Sequence, residues 1–263
     1  AARSLKYIIR AGSGYDNIDC EAAGAKGISV SNCPGMNAVA VAELAMGHLI
    51  NLDRRLPEQD TSLKGGSWNK KEFGKARGLK GLSLFVHGFG AIGQEVASRA
   101  KAFGMNVYTT SRHLSAGDHE RASVLAKLPE MDAVSVHIPV TDETKGSCNA
   151  EFFGAMKPGA YFVNTSRGPV VDEQALMDAC KTKGIRAALD VYCDQPATPE
   201  SDWSPEVARH AGVYCSHHCG ASTDQAQFAV ADEVVRLVAV YKDTGNCENV
   251  VNAEAMRTAS AGA

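Results

Sequence analysis

Leu82-Ser83-Leu84-Phe85-Val86-His87-Gly88-Phe89-Gly90-Ala91-Ile92-Gly93 holds the clearest clue to the architecture of this chain. Leu82–His87 is an apolar run of strand length, and Ala91–Phe103 beyond it has helix-forming composition. Between them stand glycines at Gly-x-Gly-x-x-Gly spacing. Gly88 permits a tight turn, Gly90 lets a pyrophosphate approach the backbone, and Gly93 lets the helix pack close to the sheet. The helix N-terminus then points its unpaired N–H groups at the phosphates. The glycine string alone is weak, but the strand–turn–helix context makes it a candidate dinucleotide cradle.

Working outward, five more apolar runs read as strands: Met105–Thr109, Ala133–Ile138, Ala160–Asn164, Arg186–Asp190 and Gly212–Ser216. Helix-like segments such as Val171–Lys181 lie between most of them. Six such runs joined by crossovers imply an α/β protein with a doubly wound parallel sheet of the Rossmann kind, covered on both faces. The end of the second run would carry an acidic residue in the usual NAD site, but here it reads Thr109-Thr110-Ser111-Arg112. Ser111 can bond a ribose hydroxyl. Arg112 is either a partner for the extra phosphate of NADP or a solvated arginine, so NAD is expected with NADP left open.

Upstream of the glycines, Leu5–Ile9 and Ile28–Ser31 read as strands flanking a short helix, Asp19–Ala25. After Pro34-Gly35, Asn37 is placed to cap a long helix to about Arg55, whose face carries Val41, Leu44, Ala45, His48 and Leu52. A second long helix, about Ser222–Lys242, carries Phe228, Val235, Leu237 and Val238, and the tail after Met256 is expected to be disordered. Lys64–Gly81, with Trp68 and Phe73, is a surface connection pinned by those aromatics or an arm packed on a second subunit.

Three loops come after the last three strands: Asn164–Gly168 with Arg167, Asp190–Pro196 with Gln195, and Ser216–Thr223 with His218. They would share the carboxyl edge, where open α/β sheets bind ligands. A cation, an amide and a histidine there can hold an anionic substrate and exchange a proton with it. A histidine that carries a proton usually leans on a carboxylate, which makes the amide of Gln195 unexpected.

The totals exclude several classes. With 27 basic and 30 acidic residues the formal charge is −3, so neither nucleic acid nor an anionic membrane is an electrostatic partner. No apolar run reaches the roughly 20 residues of a membrane-spanning helix. The cysteines are scattered without Cys-x-x-Cys spacing, which fits a reducing compartment. Cytoplasm is expected, with an organelle such as a plastid left open. Cys215, His217 and Cys219 alternate, but three ligands make a poor structural zinc site, and no metal is expected. The chain starts at Ala1 rather than Met, which reads as a cut start.

With these residues in view, the sequence resembles the D-isomer-specific 2-hydroxyacid dehydrogenase family, nearest its phosphoglycerate dehydrogenase branch. The resemblance runs from about Leu5 to Asn252 through Arg10–Asp19, Val41-Ala42-Glu43-Leu44, the glycine loop, Val136-His137-Ile138-Pro139, Met156–Ala160, Asn164–Gly168 and Gly220–Thr223. It implies a dinucleotide domain over 34–223 and a substrate domain, flavodoxin-like and incomplete here, over 1–33 and 224–263. Cofactor and substrate would meet in the cleft between them, in a homodimer.

The resemblance further implies that Arg167 binds the substrate carboxylate and keto oxygen and that His218 is the acid/base. Gln195 stands where the family usually has glutamate. Ser13 and Gly14 would hold the carboxylate through main-chain amides, and Arg10 would reach a substrate phosphate, its bland reading being a salt bridge at a strand end. Ala91 and Ile92 would face the pyrophosphate, Ser111 the ribose, and Thr165, Ser166, Asp190, Gly220 and Ala221 the nicotinamide side; His137 and Pro139 would also line the cofactor. The expected reaction is hydride transfer between a nicotinamide cofactor and a D-2-hydroxy acid, with 3-phosphoglycerate leading and serine synthesis as its use. Alternatives are formate, glyoxylate or hydroxypyruvate as substrate, or a non-catalytic cofactor-sensing module of the corepressor kind. A glutamate beside His218 would favour imidazolium by on the order of 1–2 pKa units, whereas glutamine orients the ring without that charge.

Overall fold

The computed structural model describes residues 4–109 and 124–261. Two compact units emerge, one of Ala1–Ala40 with Ala221–Ala263 and the other of Val41–Gly220. In the first unit, β1 (Tyr7–Ile9) pairs in parallel with β2 (Ser29–Ser31), and α1 (Cys20–Gly24) crosses between them. Asp19 caps α1 by accepting the Ala22 N–H at 2.8 Å.

The large unit begins within α2 (Ala38–Arg54), followed by α3 (Leu56–Lys64) and α4 (Lys70–Phe73). Strands and helices then alternate: β3 (Ser83–His87), α5 (Ala91–Ala102), β4 (Asn106–Thr109), α6 (Val124–Lys127), β5 (Ala133–Val136), α7 (Ala150–Ala155) and β6 (Tyr161–Asn164). The series closes with α8 (Glu173–Lys183), β7 (Arg186–Leu189), α9 (Glu206–Arg209) and β8 (Val213–Cys215). The six strands form one parallel sheet in the order β4-β3-β5-β6-β7-β8, a Rossmann-type arrangement. The order reverses between β3 and β5, and their carboxyl ends are where such a sheet opens a crevice for a ligand.

Alternation along the strands sends side chains to both faces. Phe85, Val134 and Phe162 meet Phe152, Phe153 and Leu176 of α7 and α8, with the Phe153 and Phe162 rings 5.1 Å apart. Leu84, Val86 and Val163 meet Ala45, Leu49 and Leu52 of α2 and Val96 and Ala100 of α5. Burial on both faces is why the inner strands β3, β5, β6 and β7 read as largely apolar runs. In α2 the expected face is buried at Val41, Ala45, His48 and Leu52, and Ala42, Met46 and Leu49 widen it.

The first unit resumes with α10 (Asp224–Thr244), capped by Thr223, and ends with α11 (Ala253–Ala261). Of the apolar residues anticipated on α10, Leu237 is buried, while Phe228, Val235 and Val238 are exposed. The tail expected to be disordered is corrected by α11. Asn252 anchors it, accepting the Val30 N–H and donating to the Ile28 carbonyl, both at 2.9 Å. Small residues let it dock: a Cβ on Gly24 would meet that of Ala255 at 2.6 Å. Asn37 stands directly before α2, and its side-chain oxygen accepts the Ser13 hydroxyl at 2.8 Å. Trp68 pins nothing, being 78% exposed, whereas Phe73 lies under the Arg55 guanidinium at 4.9 Å. No described helix is long and apolar enough to cross a membrane.

Candidate active site and cofactor cradle

The glycines of the β3–α5 turn answer different demands. Gly88 has φ +97°, and a Cβ there would sit 2.4 Å from the His137 carbonyl oxygen. Gly93 lies so close to the turn that its Cβ would meet the Gly88 oxygen at 2.1 Å. Gly90 differs: its φ is −73° and a Cβ would meet no protein atom within 4 Å. Neither backbone nor packing requires glycine there, so the space it leaves open suits a group outside the protein. Gly90 directly precedes Ala91 and Ile92, whose first helical turn offers unpaired N–H groups.

Polar atoms in and around the crevice await partners. The His87 Nδ1, Thr109 Oγ1, His137 Nδ1 and Thr165 Oγ1 atoms are buried without a hydrogen-bond partner among the described residues. They lie in or beside the carboxyl ends of β3, β4, β5 and β6. A buried polar atom without a partner is costly unless a ligand or water completes it. Together with the open face at Gly90, they fit a dinucleotide. His137 Nε2 is 2.8 Å from Ser135 Oγ, and Pro139 offers its carbonyl to Thr144 Oγ1 at 2.6 Å. Burial holds His87 down at about 4, while burial and then the neighbouring His87 hold His137 at about 3, so both rings are neutral at pH 7. Ser111 and Arg112 lie outside the described residues.

The loops after β6, β7 and β8 are built on buried polar anchors. Asn164, wholly buried, accepts the Ser166 N–H at 2.9 Å and hydroxyl at 2.7 Å, and donates to the Arg167 carbonyl at 2.9 Å. Arg167 in turn donates to the Ser166 carbonyl at 2.8 Å. Gly168 is required by the neighbouring loop, because a Cβ there would fall 1.9 Å from the Tyr192 carbonyl group. In this way the Arg167 and Gln195 loops are pressed together.

Gln195 reaches His218, its Nε2 standing 2.6 Å from the imidazole Nδ1. Its other amide atom, Oε1, accepts the Tyr192 N–H at 3.2 Å. With Oε1 taken, Gln195 offers His218 only a donor, so a neutral His218 carries its proton on Nε2. An imidazolium would present an Nδ1–H to the amide NH2, donor against donor. That cost would be relieved only by turning the amide and giving up the Tyr192 bond. The histidine itself has φ +50°, in the left-handed region.

Asp190, 1% exposed, fixes the backbone just beyond His218. Its Oδ1 accepts the Cys219 N–H at 3.0 Å and the Ser216 hydroxyl at 2.6 Å, and its Oδ2 accepts the Gly220 N–H at 2.9 Å. The Cys219 thiol adds a fourth, longer contact to Oδ1 at 3.7 Å, so the carboxylate is engaged on both oxygens within its own turn. Ser216 also meets His48 Nε2 at 3.0 Å. Sequence reasoning missed Ser216, His48 and the Tyr192 N–H as parts of this site. The one signal was a histidine on the apolar face of α2.

In the first unit, Arg10 donates to the carbonyl of Ala11 and folds across Gly12, where a Cβ would meet its Nη1 at 1.9 Å. Ser13 and Gly14 come next in the same loop. It is tied to β2 and the residues after it by the Arg10 N–H on the Ser31 carbonyl at 2.8 Å and by Asn32 Nδ2 on the Ser13 carbonyl at 2.7 Å. Ala221 opens the returning segment of that unit.

Residues 46–220 match the model of the D-isomer specific 2-hydroxyacid dehydrogenase NAD binding domain, and the chain belongs to that family. It is 40% identical over 248 residues to the hydroxypyruvate reductase of Thermotoga maritima, covering 93% of this chain and 79% of that protein. It is 39% identical over 258 residues to the D-3-phosphoglycerate dehydrogenase of Methanocaldococcus jannaschii, covering 95% of this chain but 48% of that protein, about half its length. The crystal structure of a glyoxylate reductase from Paecilomyes thermophila superposes with a TM-score of 0.83 at 30% identity, covering 94% of this chain and 75% of that one.

Proposed function

We propose that the protein transfers a hydride between NAD and a D-2-hydroxy acid, with 3-phosphoglycerate as the leading substrate. The observation that carries this reading is the His218–Gln195 contact of 2.6 Å, set two strands from the Arg167 loop on the sheet edge that bears the glycine cradle. Bound NAD supplies the hydride acceptor. Arg167 offers a planar fork suited to a carboxylate with an adjacent oxygen. His218 exchanges the hydroxyl proton through Nε2. For His218 to take that proton on Nε2 its own proton must sit on Nδ1, so Gln195 would turn its amide oxygen to that nitrogen, giving up the Tyr192 N–H while still orienting the ring. Arg10 would bind the phosphate, and a homodimer would form through the arm bearing exposed Trp68.

A second reading, reduction of hydroxypyruvate or glyoxylate, is favoured by Arg10, whose guanidinium is engaged on its own loop instead of standing free for a phosphate. The test is cofactor turnover measured with 3-phosphoglycerate and NAD in one direction, and with hydroxypyruvate and glyoxylate in the other. Arg10→Ala should raise KM about tenfold or more for a phosphorylated substrate and leave the small acids unchanged. His218→Asn should lower kcat by about 10²–10⁴ with the true substrate. Turnover of none of these by the parent protein would leave the non-catalytic cofactor-binding reading standing.

A further inference from the structure

His218 is a residue the enzyme reading needs, and its backbone is left-handed at φ +50°. The explanation lies in the next two residues. The amides of Cys219 and Gly220 converge on one buried carboxylate, that of Asp190. Two N–H groups aimed at a single carboxylate require a sharp turn, and that turn sets the conformation at His218. Gly220 fits the approach, since a Cβ there would crowd Asp190 Oδ2 at 3.1 Å. Orientation of the imidazole therefore depends on where the Asp190 carboxylate is held.

That carboxylate has a support of its own. Ser216 has one proton, and the 2.6 Å contact directs it to Asp190 Oδ1. The Ser216 oxygen is left to accept, so the 3.0 Å contact with His48 is donated by the histidine from Nε2. The opposite ring nitrogen, Nδ1, is buried without a partner among the described residues, as an unprotonated nitrogen can be at less cost than an N–H. Burial lowers the His48 pKa, although the Asp190 charge opposes this, so the ring is neutral at pH 7. His48 comes from the middle of α2, packed under the sheet and far in sequence from the loop.

We infer that His48 and Ser216 are positioning residues that hold Asp190, and through it the turn carrying His218, by a one-way chain from His48 Nε2–H to the Ser216 hydroxyl to the carboxylate. This rests on the enzyme reading for its catalytic consequence and not for its structural one. The two are tested separately on the full chain. Nitrogen-15 NMR of the histidines should find His48 neutral with its proton on Nε2. Amide exchange at Cys219 and Gly220 should accelerate about tenfold or more in Ser216→Ala, while exchange in β3 and β5 stays unchanged.

In the turnover assay, Ser216→Ala and His48→Leu should lower kcat about tenfold or more with little change in the cofactor KM. Ser216→Thr and His48→Gln, which keep the hydroxyl and an N–H donor, should restore most of it. A proton found on His48 Nδ1, or exchange in Ser216→Ala equal to the parent, would overturn the chain. Faster exchange with unchanged kcat in an active parent would overturn its positioning role. An inactive parent would count against the enzyme reading alone, because the exchange and tautomer measurements still decide the chain.

Discussion

Two turns on one sheet edge, the glycine turn after β3 and the His218 turn after β8, are held in unusual shapes by opposite means. At Gly88 and Gly93 the shape is steric: the backbone comes so close to itself that a side chain cannot fit. At His218 it is polar: a buried carboxylate collects two amides and a hydroxyl, and the turn bends to deliver them. The steric turn is marked by glycines close together in the chain, although Gly88 also makes room for the His137 carbonyl. The polar turn draws on β7, β8 and α2, so its cause is spread over positions 48, 190 and 216. A steric device fails when something is added, whereas a polar one fails when a partner is lost.

The largest effect expected from this contrast is at Gly93. Gly93→Ala forces a methyl against the Gly88 carbonyl and should destabilise the chain by about 3 kcal/mol or more, read as a lower urea midpoint. An unshifted midpoint would mean that the turn is not sterically closed. The next effect is of similar size for each residue but comes from the buried histidines beside the glycine turn. His87 and His137 have folded pKa values of about 4 and about 3, below the roughly 6.5 of an unfolded histidine. Their contribution is whole above about pH 6.5 and is lost as pH falls through the folded values, because the unfolded chain takes up the protons first. A loss on the order of 3 kcal/mol for each histidine between pH 7 and pH 4 should appear in urea unfolding, and His87→Gln should flatten that slope.

A smaller and more selective effect belongs to Gly90. Gly90→Ala should leave the thermal midpoint in place and weaken NAD binding about tenfold, on the order of 1.4 kcal/mol, in calorimetry. Equal loss of stability at Gly90 and Gly93 would erase the distinction drawn between packing and cradle. The smallest effect is on the other turn. Gln195→Glu supplies an acceptor to both the Tyr192 N–H and a protonated His218, so the reductive limb of the pH–rate profile should move up by about one unit. An unmoved limb would show that the amide, although fixed by Tyr192, does not govern the histidine proton.

Much of the sheet was legible because its inner strands β3, β5, β6 and β7 are buried on both faces, whereas the edge strands β4 and β8 are only partly covered. Boundaries moved by a residue or two, as where α8 begins after the Asp172 cap instead of at Val171. The α11 docking was hidden because alanine and glycine, which look featureless in sequence, are what permit close approach to α1. Trp68 misled for the converse reason: a large apolar side chain is normally buried, and this one lies open. At the site, Arg167, Gln195 and His218 stood out as polar residues after strands. His48 was read as part of a core face, which it also is.

The α/β sheet, the glycine turn and the polar groups at the strand ends could be read from sequence because each leaves a local mark: an apolar run, a glycine spacing, a polar residue after a strand. The directions in which those groups face emerged only in three dimensions. Gln195 offers His218 a donor because the Tyr192 N–H occupies its oxygen. Asp190 faces back into the turn because Ser216 and two amides converge on it. Hydrogen bonding is directional and each proton can be given once, so the direction of such a network is set only when all its members are brought together in space.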